Sequence, residues 1–355
     1  MAIEKISIVE ALKLSESIPV IDVRSEGEFH HAHIPKAYNL PLFNNEERKI
    51  VGTIYKQQSR EHAIKKGLDI FGPKMKRMIL FAEKIKEETN QDTFIVHCWR
   101  GGMRSAAIAW LFDMYGFKVY TIIGGYKSYR NFVLKQFEKN WLLNIVGGYT
   151  GSGKTIVLEE LQHMGEATID LEGIAGHRGS AFGRIGLPEQ SSVEMFENNL
   201  ANKLFELENE KPGKNIWIED ESQRIGSVSI PQHFWNTMRK SIVYFIEIPF
   251  EKRLEYLVDT YGKLDKTELT NATIRIEKKL GGLEMKNAVS HIGNDELDKA
   301  FEILLKYYDK LYLKSLLTRE QYDSNKKGYK KIIESEKVDS INNAKKLLNE
   351  NYGSN

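Results

Sequence analysis

Thr93-Phe-Ile-Val-His97-Cys98-Trp-Arg-Gly-Gly-Met-Arg104-Ser105 is the stretch on which the reading of this chain turns. Thr93 to His97 is a short apolar run and reads as a buried strand. A helix from about Arg104 through Ala106-Ala-Ile-Ala-Trp-Leu-Phe112 follows and stops at Gly116. It leads to a second strand, Lys118-Val-Tyr-Thr-Ile-Ile123, before the break at Gly124-Gly125. Strand, glycine turn, helix and strand make a parallel α/β unit. Cys98 then sits at the carboxyl edge of the sheet, with loop N–H groups wrapped around its sulfur. The helix dipole and the guanidinium groups of Arg100 and Arg104 favour thiolate over thiol. A buried, inert cysteine is the bland alternative, and two arginines and two glycines in the loop argue against it. The chain has one cysteine. A sulfur or selenium adduct on it cannot be resolved by an internal disulfide and must be discharged onto a substrate or an outside thiol.

Outward from this loop the same alternation continues. Ile18-Pro-Val-Ile-Asp-Val23 reads as a strand and Lys74 to Ile85 as an amphipathic helix. Downstream, the strand Trp141-Leu-Leu-Asn-Ile-Val146 runs into Gly148-Tyr-Thr-Gly151-Ser152-Gly153-Lys154-Thr155 and a helix from Lys154 to His163. This is a phosphate loop in its proper context. Gly148, Gly151 and Gly153 permit the tight path, backbone N–H groups including that of Ser152 point inward, Lys154 places a cation against the outer phosphates, and Thr155 would ligate Mg²⁺. Further strands are predicted at Asn215 to Ile218 and Ile242 to Ile246. The first of these ends in Glu219-Asp220-Glu221, where Asp220 or Glu219 could hold the metal through water. Asp170 to Arg184 is dense in glycine, arginine and histidine and reads as a loop that approaches anions, with Arg178 and Arg184 as a clamp for a diphosphate or for RNA phosphates. Arg224 is a similar candidate. Beyond about Phe250 strand signals fade, and Glu251 to Asp259, Asp265 to Lys279 and Glu296 to Leu317 read as charged helices. The tail after Lys326 is polar, and its last few residues carry no assigned structure.

Composition narrows the class. The 355 residues suffice for two or three domains with proper cores, 41% of them are hydrophobic, and no stretch approaches the roughly 20 apolar residues that span a bilayer. No signal segment is read at the amino terminus, so the expected location is cytoplasmic. With 51 basic against 49 acidic residues the net charge is +2, so any RNA contact must come from local patches. Two are present. One runs from Arg48-Lys49 through Lys56 and Arg60 to Lys65-Lys66. The other is Tyr126-Lys127-Ser-Tyr129-Arg130, where aromatics and cations alternate as for contacts with bases and phosphates. Both also suit a solvated helix face, and the mixed charge along Lys306 to Arg319 is read as solvent-facing.

Ile21-Asp22-Val23-Arg24 and Glu28-Phe29-His-His-Ala-His33-Ile34-Pro35-Lys-Ala37-Tyr-Asn39-Leu-Pro41 look like the two early signatures of the rhodanese fold, which carries sulfurtransferases and a minority of phosphatases. Asp22 and Arg24 read as a fold-stabilising ion pair, His33 as structural, and His97 either as structural or as a residue that orients the loop. The spacing Cys98-x5-Arg104 is one residue longer than in an ordinary rhodanese loop and matches a phosphatase pattern. The longer loop encloses a larger ring of N–H donors, sized for a tetrahedral anion such as selenophosphate, thiophosphate or a phosphoester. A rhodanese-like domain fused to a phosphate-loop domain that carries Gly176-His-Arg-Gly-Ser180 and Glu221-Ser-Gln-Arg-Ile-Gly226 resembles the tRNA 2-selenouridine synthases over roughly the first 250 residues. Ala181 departs from the second serine expected there. The fold class that follows is α/β: a rhodanese-like parallel-sheet domain (1–138), a P-loop NTPase-like parallel α/β domain (139–250) and a helical C-terminal region (251–355).

The resemblance implies a two-step modification of the tRNA wobble uridine in the anticodon region. A 2-thiouridine is alkylated on sulfur by geranyl diphosphate, and the S-geranyl group is displaced by selenium from selenophosphate. Lys154, the loop N–H groups and Mg²⁺ would stabilise the departing diphosphate. The Cys98 loop would hold selenophosphate, either carrying selenium as an adduct or only activating the donor. The competing readings are a rhodanese-fold phosphatase or sulfurtransferase coupled to an ATP/GTP-binding regulatory domain, and an RNA-binding adaptor with two vestigial sites. The first wants a carboxylic acid near Cys98, and the nucleotide switch wants an Asn-Lys-x-Asp base-recognition motif. Neither is seen in the sequence.

Overall fold

Phe94, Ile95 and Val96 are wholly buried, which a strand achieves only when covered on both faces. The computed structural model, which describes residues 3–319 and 330–353, places them in the middle of a parallel sheet. Its strands are β1 (Glu4–Ile6), β2 (Val20–Asp22), β3 (Tyr38–Asn39), β4 (Thr93–His97) and β5 (Lys118–Ile122), in the order β1-β5-β4-β2-β3. Val20, Ile21 and Asp22 lie opposite Ile95, Val96 and His97. Phe94 also meets the rings of Phe112 and Phe117 at 5.4 and 5.1 Å, which fixes the helix Met103–Tyr115 against the sheet beside the Cys98 loop.

The second sheet is built from β6 (Leu143–Gly148), β7 (Ala167–Ile169), β8 (Ile216–Glu219), β11 (Ile242–Glu247) and β12 (Lys330–Glu334), in the order β12-β11-β6-β8-β7, all parallel. Between β8 and β11 the chain forms the small antiparallel hairpin β9 (Arg224–Ile225) and β10 (Val228–Ser229). β6 is central, and its carboxyl end delivers the phosphate loop to the helix Lys154–His163.

The chain divides into two compact units, Met1–Gln136 with Glu197–Asn202, and Phe137–Phe196 with Lys203–Asn355. Residues 251–355 therefore belong with the phosphate-loop sheet. The described ones are mostly helical, including Phe250–Tyr261, Lys266–Arg275 and Leu297–Arg319. The expectation that strands cease beyond Phe250 needs correction, because β12 adds an edge to the sheet and the helix Ser340–Tyr352 packs Ala344 and Leu347 into the same core as Val157 and Leu158. Lys330-Lys-Ile-Ile-Glu334 hides its strand character because an edge position tolerates charge. Residues 327–329 and 354–355 of the polar tail lie outside the described residues.

Candidate functional site: a thiol cradle and a phosphate loop

The turn after β4 wraps around the Cys98 sulfur, and two glycines make that path possible. Gly101 has φ +65°, and a Cβ there would lie 2.7 Å from the Ile122 carbonyl oxygen; at Gly125, φ +58°, a Cβ would lie 2.3 Å from the Cys98 oxygen. The Tyr126 and Lys127 N–H groups donate to the carbonyls of Cys98 and Trp99, each at 2.9 Å, and fasten the loop to the start of the next helix. Cys98 itself is 3% exposed. The Gly102 N–H donates to its Sγ at 3.3 Å, and the Ser105 hydroxyl lies 3.3 Å from the same sulfur.

Burial pushes the thiol pKa up, but the Ser105 hydroxyl and the N–H groups of Ser105, Arg100 and Gly102 pull further in the other direction, so Cys98 ionises below its ordinary value. The N–H half of the sequence expectation is thus found. The guanidinium half is corrected: Arg104 turns to Glu28, 3.1 Å away, which it shares with Arg48 at 2.9 Å, and Arg100 is exposed. Ser105 was not singled out from the sequence, although a hydroxyl seven residues after the cysteine, in the first turn of the helix that follows, was there to be read. Because the thiolate persists to lower pH, the rate of Cys98 alkylation by iodoacetamide is expected to reach half its plateau below the midpoint of an unperturbed thiol, near pH 8.5. Ser105→Ala should move that midpoint upward; an unchanged midpoint would remove the hydroxyl from the account.

Behind the cradle, Arg24 makes a two-pronged pair with Asp22, at 3.0 and 2.6 Å, and donates to the Ala32 carbonyl at 2.7 Å, all out of solvent. The ion-pair reading of these residues holds. His33 is stacked on Phe29 with its Nδ1 2.8 Å from that residue's carbonyl. His97 is fully buried, with Nε2 3.8 Å from Asp22 and Nδ1 3.4 Å from the Cys98 carbonyl oxygen, and burial holds its pKa below the ordinary value, so it packs in the core while touching the loop.

In the second unit the phosphate loop takes the expected path, with positive φ at Gly148, Gly151 and Gly153. A Cβ on Gly151 would come within 3.0 Å of the Arg253 carbonyl. Lys154 Nζ donates to the Gly148 carbonyl at 3.1 Å, and the buried Ser152 Oγ has no hydrogen-bond partner. Residues far along the chain support the loop. Arg253 donates to the Thr150 carbonyl and forks onto Asp309 at 2.9 and 2.8 Å, and the Tyr312 hydroxyl accepts from the Gly148 N–H at 3.2 Å. Sequence patterning could not single out these residues, because nothing local marks them.

The same network corrects the Asp220 half of the metal assignment. Asp220 accepts from the Tyr312 hydroxyl at 2.7 Å and from buried Arg319 at 2.6 Å, so its oxygens are already engaged. The Thr155 hydroxyl instead donates to Glu172 at 3.3 Å. Glu219, the other carboxylate offered for the metal, is buried with Oε1 accepting from the Glu172 N–H at 2.7 Å and Oε2 without a hydrogen-bond partner, so Thr155 and Glu219 are the residues that would hold Mg²⁺, through water at the carboxylate. Next to Thr155, burial and the neighbouring Glu172 push Glu221 up to about 8; Glu172 is likewise raised by burial, and Glu219 well above its usual range.

The two glycine-arginine loops meet beside this cluster. A Cβ on Gly179 would lie 2.7 Å from both Glu221 carboxylate oxygens, and one on Gly226 would lie 2.6 Å from the His177 ring. Arg178, Arg184 and Arg224 are all exposed, and Arg224 Nε donates to the Gly226 carbonyl at 3.0 Å. At Ala181, where a serine was expected, the backbone N–H bonds to the Tyr308 hydroxyl at 3.0 Å.

Of the RNA candidates, Lys56, Arg60 and Lys127 are exposed. Arg130 is corrected: its guanidinium binds Glu197 and Asn198, each at 2.5 Å. Tyr126 and Tyr129 are corrected too, since both are completely buried and cannot stack on a base.

Fold and sites together define a class, a rhodanese-like domain joined to a phosphate-loop domain of the AAA type. A family model of the rhodanese-like domain matches residues 7–132, and one of the tRNA 2-selenouridine synthase AAA domain matches residues 142–340. The tRNA 2-selenouridine synthase of Bdellovibrio bacteriovorus is 35% identical over 347 residues, covering 86% of this chain and 90% of that protein. That of Nitrosomonas europaea is 33% identical over 351 residues, covering 85% and 90%. The crystal structure of an N-terminal domain from a Clostridium difficile 630 protein described as ATP/GTP binding is 46% identical, covers 38% of this chain and 99% of its own, and has a TM-score of 0.35. The chain belongs to the tRNA 2-selenouridine synthase family.

Proposed function

We propose that this chain converts the wobble 2-thiouridine of tRNA to 2-selenouridine in two steps, each served by one of the two anion sites. In the first, the thiocarbonyl sulfur attacks C1 of geranyl diphosphate, the C1–O bond breaks with its electron pair leaving on diphosphate, and N3 gives up its proton. Lys154 and the N–H groups of the phosphate loop stabilise the charge that gathers on the departing group, with Arg178, Arg184 and Arg224 exposed nearby to hold the anion. Alkylation turns a poor leaving sulfur into a good one. In the second step selenium from selenophosphate bonds to C2, the C2–S bond breaks and geranylthiol leaves, water takes the phosphoryl group, and N3 regains a proton.

The observation that carries the proposal is the Cys98 cradle. Donors from Gly102, Ser105 and Arg100 converge where a tetrahedral selenium-bearing anion would meet an ionised sulfur. No step is routed through a metal ion. Lys56, Arg60 and Lys127 are left as the exposed cations for RNA phosphates. No helix of the described residues is long and apolar enough to cross a membrane, and work on tRNA suits the cytoplasm.

Mass spectrometry of nucleosides tests the order. Incubation of 2-thiouridine tRNA with geranyl diphosphate should yield S-geranyl-2-thiouridine, and later addition of selenophosphate should yield 2-selenouridine. Selenation at full rate with selenophosphate alone would sink the two-step scheme.

A further inference from the structure

Tyr126 and Tyr129 are too deeply buried to meet RNA, yet one aromatic next to the reactive sulfur is open. Trp99, the residue after Cys98, is 37% exposed. The buried side of its surroundings is well built. The Tyr126 ring lies 5.6 Å from the indole, and the Arg24 guanidinium, itself 1% exposed and locked onto Asp22, sits 3.7 Å from the Tyr126 centroid and 6.0 Å from that of Trp99. The Trp99 carbonyl accepts from the Lys127 N–H at 2.9 Å, so backbone and ring are both fixed. Exposed cations lie around the same loop. Arg100 follows Trp99, Lys127 is anchored to its carbonyl, and Arg60 Nη2 lies 3.9 Å from the sulfur of Met103, the loop's other exposed apolar side chain.

We infer that Trp99 is a stacking platform for an unpaired RNA base, placing the modified uridine or its neighbour over the Cys98 cradle while Arg60, Arg100 and Lys127 meet the flanking phosphates. An indole held by buried neighbours pays little conformational entropy on binding, and cations around a rigid aromatic are the usual means of gripping single-stranded RNA. Selenation needs C2 of the base within bonding distance of the selenium donor, and a platform adjoining the cysteine supplies that placement.

The inference rests on the tRNA reading above, and the experiment separates the two. Full-length wild-type, Trp99→Ala and Trp99→Phe chains are compared on tRNA carrying S-geranyl-2-thiouridine and on the S-methyl analogue, with the pH midpoint of Cys98 alkylation measured in each. Trp99→Ala should lower kcat/KM for selenation of both substrates by about 10- to 100-fold, the range that loss of one base stack produces. Trp99→Phe should recover most of it, and the alkylation midpoint should stay where it is. Addition of an anticodon stem-loop should quench fluorescence in the wild type more than in Trp99→Phe. Undiminished kcat/KM in Trp99→Ala, with an active wild type, overturns the platform alone. A loss confined to the geranyl substrate overturns it in favour of an alkyl-chain contact, and a shifted alkylation midpoint overturns it in favour of a purely structural role. A wild type that leaves tRNA unmodified defeats both the platform and the reading beneath it.

Discussion

Cys98→Ser is expected to lower selenium incorporation by at least about 10³-fold while leaving S-geranylation of the same tRNA within about twofold. The change is nearly isosteric at a site 3% exposed, and a serine oxygen can accept the same Gly102 N–H that now donates to sulfur, so fold and anion cradle survive. What is lost is an ionised, polarisable atom. The donors that favour the Cys98 thiolate cannot bring an alkoxide into existence at neutral pH, and a neutral serine hydroxyl does not activate the selenium donor. The check is nucleoside mass spectrometry on tRNA geranylated beforehand, which isolates the second step, beside the same measurement on 2-thiouridine tRNA with geranyl diphosphate. Selenation that proceeds at the wild-type rate would reduce Cys98 to packing. Equal loss of both activities would refute the division of labour between the two sites.

The parts of this molecule that were legible in its sequence are those whose causes are local. β4 and the helix Lys154–His163 fall at the predicted bounds, because a β-rich apolar run and a glycine-lysine turn declare themselves within a few residues. The misreadings share a different cause. Asp220 was offered a metal because a carboxylate at a strand end is free until its partners are known, and its partners, Tyr312 and Arg319, come from a helix about a hundred residues later. Arg104 looked like a support for the thiolate until Glu28 supplied a stronger claim on it. Tyr126 and Tyr129 alternate with Lys127 and Arg130 as an RNA-binding segment would, but on the helix Gly125–Glu138 that spacing turns both rings inward, and beside the sulfur it is Trp99 that stays open. In each case the residue type was read correctly and its direction was set by a tertiary contact that no short window contains.

Direction also decides what should happen at the other site. Lys154→Ala is expected to cut S-geranylation by about 10²- to 10³-fold, the cost of removing one preorganised charge donor from a leaving group, and to reduce selenation of 2-thiouridine tRNA to the same degree because the second step is starved of substrate. Selenation of tRNA geranylated beforehand should remain within about twofold of wild type. That contrast separates a chemical defect from a folding defect. The half-buried Lys154 side chain makes one hydrogen bond, to the Gly148 carbonyl, and its loss should cost no more than about 1 kcal/mol of stability. The loop keeps its shape through Arg253 on Thr150 and Tyr312 on Gly148, two hydrogen bonds that survive the loss of the cation–π contact between Lys154 Nζ and the Tyr312 ring, 5.7 Å apart. A thermal melt close to wild type, with diphosphate inhibition of geranylation weakened and Cys98 alkylation unaltered, is the accompanying signature. Geranyl transfer retained at full rate in Lys154→Ala would show that the phosphate loop holds something other than the diphosphate of the alkylating substrate.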